Sequence, residues 1–194
     1  MTIELISPGN PSVVLIEDSH IVELNLSPSV IIEVGDSGIQ SPRSNNIGVL
    51  YLKNNTIPTP VGTTNGRAVV SGVVQTGELV NFEKHNGSSS LRYLGERGRF
   101  LIAITFSFYE GSQNTCGFYV GVNRNIASAL DANADRISES EIYSNAGTPS
   151  NQPQSACVQT VLTLNYNDRI FFIVQNKDSA TPITVEFMKL IAWQ

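Results

Sequence analysis

The residues that could carry out acid–base or nucleophilic chemistry are few in this 194-residue chain, and their spacing forms no recognisable site. The only histidines are His20 and His85, both in turn-like surroundings. Asp18 lies two residues before His20, and Asp, His and Ser are the components of a hydrolytic triad. However, no serine lies in a G-x-S-x-G pattern, which exposes a nucleophile at a strand-to-helix turn. We therefore expect a protein that is not an enzyme and needs no cofactor.

One acidic segment has part of the spacing of a calcium-binding loop. Residues 131–135 read Asp-Ala-Asn-Ala-Asp, which places side-chain oxygens at the first, third and fifth positions of such a loop. Arg136 replaces the glycine that makes the sharp turn, and Ile142 stands at position twelve, where a glutamate supplies two ligand oxygens. We expect a solvated loop and no metal site, with calcium binding at 131–135 as the alternative.

Cys116 and Cys157 are the only cysteines. The N-terminus has no basic segment followed by an apolar run, so we expect no signal peptide and a mature chain that begins at Met1 in a reducing cytoplasm. We also expect strands 116–123 and 156–164 to be antiparallel neighbours, which places the two cysteines too far apart for a disulfide. Two structural thiols are therefore predicted.

The composition excludes two classes of partner. Charged residues are 15% of the chain and the formal net charge is −5, whereas nucleic-acid binding depends on clustered Lys and Arg. No run approaches the roughly 18 apolar residues of a membrane-spanning helix. Soluble domains average roughly 25% charged residues, so the low charge density indicates a surface partly covered by protein. We expect neither nucleic acid nor a membrane as a partner.

The elements that would position any site are nearly all strands. Windows rich in Val, Ile, Thr, Phe and Tyr, bounded by turn-forming residues, fall near 12–17, 20–26, 29–34, 48–53, 67–75, 78–82, 90–94, 99–109, 116–123, 156–164, 169–176 and 183–192. The alternation in 99–109 predicts one core-facing side of a strand. The alanine-rich segment 125–140 has no apolar stripe, so at most one short helical turn is expected there. The sequence predicts an all-β fold.

A shift in composition divides the chain. All aromatic residues except Tyr51 lie at Phe82 or beyond, and six of the nine prolines lie in the first 60 residues. Aromatic side chains build cores, while proline interrupts sheets. We therefore predict an extended, short-stranded β arm over residues 1–66 and a β-sandwich domain over 67–194. The arm is too apolar to be free, and the positions expected to contact another chain are Val14, Ile16, Ile21, Leu24 and Ile31.

In the C-terminal part, Leu91-Arg92-Tyr93-Leu94-Gly95 is followed closely by Gly98–Ile102. This pair of segments resembles the early strands of jelly-roll domains of the tumour-necrosis-factor and complement globular-head type. Leu164–Ile170 resembles the turn before their penultimate strand, and 176–187 looks like their closing hairpin. The resemblance covers about 78–194 and implies a jelly-roll sandwich that assembles as a trimer. Modules of this kind also occur in bacteriophage virions, at tail-fibre ends and as capsid decoration or cement proteins.

This resemblance implies a structural protein of a phage virion, made in the host cytoplasm. We expect a capsid decoration or cement protein that binds and stabilises the shell as a homo-oligomer, a trimer, with the major capsid protein or another virion protein as its partner. The alternative is a fibre-tip or receptor-binding module that recognises a host glycan or protein through exposed loops such as 144–153. An enzyme is the second alternative, for which the sequence offers no convincing site.

Strands that are apolar on both faces indicate where subunits meet. Residues 170–174 read Ile-Phe-Phe-Ile-Val, and a single sandwich core cannot bury both alternating sets. The last strand, 183–192, has the same property unless a bulge near Lys189 shifts its register. The predicted subunit-interface residues are Tyr119, Phe171, Ile173, Met188 and Leu190. Coverage of these side chains by the arm of the same chain stays open as the alternative.

Overall fold

The structure, a computed structural model, describes residues 12–17, 20–25, 46–85, 88–146 and 152–194. For the first two ranges it describes only the strands and their pairing. The chain divides into two compact units, Met1–Ser44 and Asn45–Gln194. In the first unit, β1 (Ser12–Glu17) and β2 (His20–Asn25) form an antiparallel hairpin in which Ile16 pairs with Ile21. The contacts predicted for Val14, Ile16, Ile21 and Leu24 stay predictions, and Ile31 lies outside the described residues.

The second unit is a sandwich of two antiparallel sheets. Its described strands are β3 (Ile47–Leu52), β4 (Arg67–Val69), β5 (Gln75–Val80), β6 (Phe82–Lys84), β7 (Ser90–Tyr93), β8 (Gly98–Glu110), β9 (Thr115–Asn123), β10 (Ile142–Asn145), β11 (Gln154–Leu164), β12 (Arg169–Asn176) and β13 (Ile183–Trp193). The five-stranded sheet has the order β11-β8-β13-β3-β5. The six-stranded sheet has the order β10-β9-β12-β7-β6, with β4 also paired to β12. The all-β jelly-roll sandwich predicted from the sequence is confirmed.

The hydrophobic core lies between the two sheets. Strand β8 supplies one side of it through its alternate residues, which are Phe100, Ile102, Ile104, Phe106 and Phe108. The ring of Phe106 lies 4.5 Å from that of Phe118 on β9 and 4.6 Å from that of Phe172 on β12. Aromatic rings at these separations pack favourably and bury a large area. The rings therefore hold the five-stranded sheet against the six-stranded one.

The sandwich begins about twenty residues earlier than the predicted boundary at 66/67. Strand β3 lies between β13 and β5 in the five-stranded sheet. Beyond it, the Asn55 side chain donates to the carbonyl of Val185 at 2.9 Å, and the Thr59 amide donates to the carbonyl of Ile183 at 2.8 Å. Residues 46–66 therefore belong to the sandwich and not to an arm. The boundary was placed where aromatic residues become frequent, and residues 46–66 were missed because Tyr51 is their only aromatic residue.

A bulge in the last strand determines which of its residues enter the core. The pairing of β13 with β8 shifts register between Val185 and Phe187. Because of this shift, Val185, Met188 and Leu190 all face the core and are fully buried. Met188 and Leu190 were predicted as interface residues on the opposite face, so that prediction is wrong. A bulge was the alternative considered, but it lies N-terminal to the expected position near Lys189.

Two further expectations about connections are corrected. Strands β12 and β13 belong to different sheets, so the segment between them crosses the sandwich and does not close a hairpin. Likewise β9 lies in the six-stranded sheet and β11 in the five-stranded one, so these strands are not neighbours.

Cys116 and Cys157 are both free thiols, the first buried and the second exposed. None of the described segments is a helix long and apolar enough to cross a membrane.

Candidate interaction surface

The outer face of the six-stranded sheet is covered by the chain itself. Tyr119, Phe171 and Ile173 form a second apolar cluster on this face, and all three are fully buried. Ala132 belongs to the cluster, and Leu130 and Val69 pack against it. The prediction that Tyr119, Phe171 and Ile173 contact another subunit is therefore wrong. Among the described residues, the cover comes from the 124–137 loop and from β4 of the same chain.

A buried arginine holds the covering loop in place. The guanidinium of Arg169 donates to the Asn123 side-chain oxygen at 2.7 Å, to the Asn125 carbonyl at 3.0 Å and to the Ser128 carbonyl. Next to it, the buried carboxylate of Asp168 accepts from Arg124 at 3.2 Å. Buried charges are stable only when such partners satisfy them. These contacts fasten the beginning of the loop to the start of β12.

The carboxylates of the 131–135 segment close the same loop. Asp131 accepts from the amides of Asn133 at 2.7 Å and Ala134 at 3.0 Å, and these two hydrogen bonds lower the pKa of its carboxyl. Asp135 accepts from the Asn123 side chain at 2.7 Å and from the Asp131 amide at 2.9 Å. These oxygens stabilise turns of the protein, which is the ordinary role of Asp in loops. No group of three His, Cys, Asp or Glu that could hold a metal occurs in the described part of the chain.

The other chemistry-bearing residues of the sequence are spread over the molecule. His20 begins β2, and Asp18 lies outside the described residues. His85 follows β6, and burial together with the positive charges of Arg169 and Arg92 lowers its pKa. Burial also raises the pKa of the Cys116 thiol to about 12, with the negative charges of Glu110 and Asp178 adding to the effect.

The five-stranded sheet, in contrast, has an apolar outer face that the described residues leave open. The strand register aligns one apolar residue from every strand of this sheet into a single row, which consists of Val161, Leu101, Trp193, Ile47 and Val80. The exposed fractions of four of these side chains are 53% for Trp193, 49% for Val161, and 39% for both Leu101 and Val80. The adjacent row adds Ala103, Ile191 and the buried Val49, and it ends at the polar Gln159 on β11. We call these two rows the apolar face.

An edge that pairs with only one described strand adjoins the apolar face. Strand β11 ends the five-stranded sheet, pairs with β8 over eleven residues without a bulge, and contains no charged residue and no proline. The other edges have features that discourage pairing: β5 has a register shift and Glu78, while β6 and β10 have three and four residues. Natural sheets protect edges by such devices, and an unprotected edge is a place where another chain can pair or pack.

Sequence reasoning missed the apolar face because its residues are dispersed over five strands. Val161 and Leu101 occur in strands with clear alternation, and each looks like one isolated apolar residue on a solvent-facing side. A single exposed apolar residue is normal and carries no information. Trp193 was the available signal, because it is the only tryptophan of the sequence and so large an aromatic side chain is not expected on an open surface.

The comparisons with known proteins show the fold. No protein-family model matches the chain, and no curated protein matches it. Among solved structures, the Eiger TNF of S. frugiperda is similar with a TM-score of 0.52 at 10% identity, covering 78% of this chain and 94% of that one. Murine APRIL, crystallised at pH 5.0, has a TM-score of 0.47 at 13% identity, covering 77% of this chain and all of that one. The tumour-necrosis-factor-like jelly-roll fold implied by the sequence resemblance is confirmed by the first of these.

Proposed function

We propose that this protein is a non-catalytic structural protein of a phage virion, a capsid decoration or cement protein that works as a homo-oligomer. The observation that carries the oligomer is the apolar face. The chain covers the apolar cluster of its six-stranded sheet with its own loop, whereas the described residues leave Trp193, Val161, Leu101 and Val80 exposed. Monomeric soluble proteins rarely expose a contiguous apolar patch across a whole sheet.

The occupant of the apolar face is a second copy of the same chain. The edge strand β11 borders this face, so one copy presents an apolar face and an uncharged edge at adjoining places. A face on one copy and an edge on the next form a head-to-tail contact, which closes into a ring when the rotation between copies allows it. The trimer implied by the sequence resemblance is such a ring.

The virion role rests on the resemblance and on composition. Jelly-roll modules of this kind occur in phage particles, and the chain has a low charge density, free thiols and an apolar N-terminal hairpin. A two-stranded hairpin alone is only marginally stable in water. In the proposed assembly, the segment that contains β1 and β2 binds the capsid protein or a neighbouring copy and gains its stability there.

Quantitative mass spectrometry of purified particles tests the virion role. A decoration protein is present at a copy number comparable to that of the major capsid protein. Absence from purified particles contradicts the proposal. Sedimentation of the purified protein tests the oligomer separately, because a chain that stays monomeric on concentration contradicts the proposed use of the apolar face.

A fibre-tip or receptor-binding module is the second candidate. The observation that favours it is a polar cluster around Tyr119 on the six-stranded sheet, which carries more positive than negative charge. A copy number of a few per particle, located at the tail, supports this candidate over decoration.

A further inference from the structure

Two arginines are held against one aromatic ring on the outer side of the six-stranded sheet. The guanidinium carbon of Arg67, on β4, lies 5.7 Å from the centre of the Tyr119 ring. That of Arg136, in the covering loop, lies 5.3 Å from the same centre. A cation within about 6 Å of a ring centroid is attracted by the ring. Tyr119 therefore has two guanidinium groups in contact with one ring.

Among the described residues, few protein groups accept hydrogen bonds from these two arginines. A guanidinium carries five N–H donors. Arg67 donates to the side-chain oxygen of Asn133 at 3.2 Å, and Arg136 donates weakly to the hydroxyl of Ser138 at 3.5 Å. The Nε atoms of both arginines are buried and have no partner in the structure. Within the described ranges neither forms a salt bridge, whereas Arg92 and Arg124 each meet a carboxylate.

The charged side chains that contact Tyr119 and Tyr143 carry a net positive charge. Glu141 is the carboxylate beside Tyr119, and it lies 3.5 Å from the ammonium of Lys177. It also accepts from the hydroxyls of Tyr119 and Tyr143. Two arginines and a lysine therefore face one engaged carboxylate, in a protein whose formal net charge is −5. A local positive site on an acidic protein attracts an anion to that place and not to the rest of the surface.

The neighbours of the arginine pair indicate what kind of anion fits. The ring of Tyr143 is 52% exposed, and the Lys177 ammonium lies 4.4 Å from its centre. The site thus combines a flat exposed ring, a cationic donor, and hydroxyl and carboxylate oxygens. Sugar hydroxyls donate and accept at once, so they suit such a mixed set of partners. Guanidinium groups pair well with carboxylates.

We propose that Arg67 and Arg136 bind the carboxylate of an acidic sugar, with the Tyr143 ring against the sugar and Lys177 near its hydroxyls. This inference gives the second candidate function a ligand class and rests on that candidate alone, because the site lies on the sheet opposite the apolar face. An acidic polypeptide is the less favoured ligand. The nearest sheet edge, β10, has only four residues and gives an extended peptide little main-chain pairing.

Titration calorimetry with methyl glucuronide, methyl glucoside, acetate and a poly-glutamate peptide tests the proposal. The wild-type protein is expected to bind the glucuronide about tenfold or more tightly than the glucoside or acetate, because only the glucuronide has both parts of the ligand. Arg67→Met and Arg136→Met are each expected to weaken that binding by about tenfold or more. Arg97→Met is the matched control, since it removes the same charge from an exposed arginine elsewhere, and it should leave binding unchanged.

A further variant distinguishes loss of binding from loss of folding. Tyr143→Ala removes an exposed ring, so the protein should stay folded by circular dichroism and bind the glucuronide several-fold less tightly. No binding of the glucuronide by the wild type overturns the proposal, as do equal binding of acetate, binding of poly-glutamate alone, or an equal effect of Arg97→Met. Sedimentation of the same samples reports the oligomer independently, so a failed ligand and a failed assembly are distinguishable.

Discussion

Replacing Trp193 by alanine removes the largest exposed side chain of the apolar face while leaving the sandwich core intact. Trp193 pairs with Leu101 on β8 and with Ile47 on β3, at the centre of the five-residue row. If the whole side chain offers roughly 250 Å², its 53% exposed fraction leaves about 130 Å² available for burial by a partner. At about 25 cal/mol per Å², that area is worth about 3 kcal/mol per subunit as an upper estimate.

A loss of about 3 kcal/mol corresponds to roughly a hundredfold weaker association at each contact. Sedimentation velocity over a dilution series measures this shift, because the variant should dissociate at much higher protein concentrations than the wild type. The melting temperature, measured on dissociated protein, should change little, since the removed atoms face solvent in the single chain. Tyr166→Ala is the matched control, because Tyr166 is 62% exposed and lies in the turn between β11 and β12.

Three results would refute this reasoning. A wild-type protein that is monomeric at every concentration has no use for the apolar face. An unchanged dissociation range for Trp193→Ala places the contact elsewhere. An equal shift for Tyr166→Ala shows that any exposed aromatic residue, and not this row, drives association.

The remaining predictions concern the core, the thiols and the covering loop. Leu190→Ala should lower the unfolding free energy by about 2–5 kcal/mol in denaturant titrations, because Leu190 is fully buried in the core, and an unchanged midpoint would contradict the assigned bulge. At pH 8 a maleimide should label Cys157 but not Cys116, because burial and a pKa of about 12 keep the Cys116 thiol protonated. Assembly should slow the labelling of Cys157, and mass spectrometry measures the labelling of each cysteine. Arg169→Met should lower the free energy of unfolding by about 2–4 kcal/mol, because three oxygens of the covering loop lose their hydrogen-bond donor. The variant should also expose the Tyr119 cluster to a hydrophobic dye, and absence of dye binding would show that the loop stays in place without Arg169.

The strands were predictable because their signal is local. Alternation in β8 and the continuous apolar run of β12 determine which segments are strands and that both are buried. The all-β class and the near-absence of helix in 125–140 follow from such patterns, whereas the jelly-roll fold was implied by the resemblance to known domains. The boundary at 66/67 was wrong because core membership of β3 depends on pairing with β13, more than a hundred residues away in the sequence. Aromatic content cannot report a pairing of that kind.

The interface residues show what only the tertiary structure decided. A strand that is apolar on both faces must have cover on both, and the sequence determined that much for β12. It could not say whether the cover comes from the same chain, because the 124–137 loop is fastened over Phe171 and Ile173 by Arg169, through contacts between segments distant in the sequence. Conversely, five apolar residues that look unremarkable singly became one surface when strand register aligned them. Register and loop placement are long-range properties of the folded chain, and they decide which apolar side chains remain for a partner.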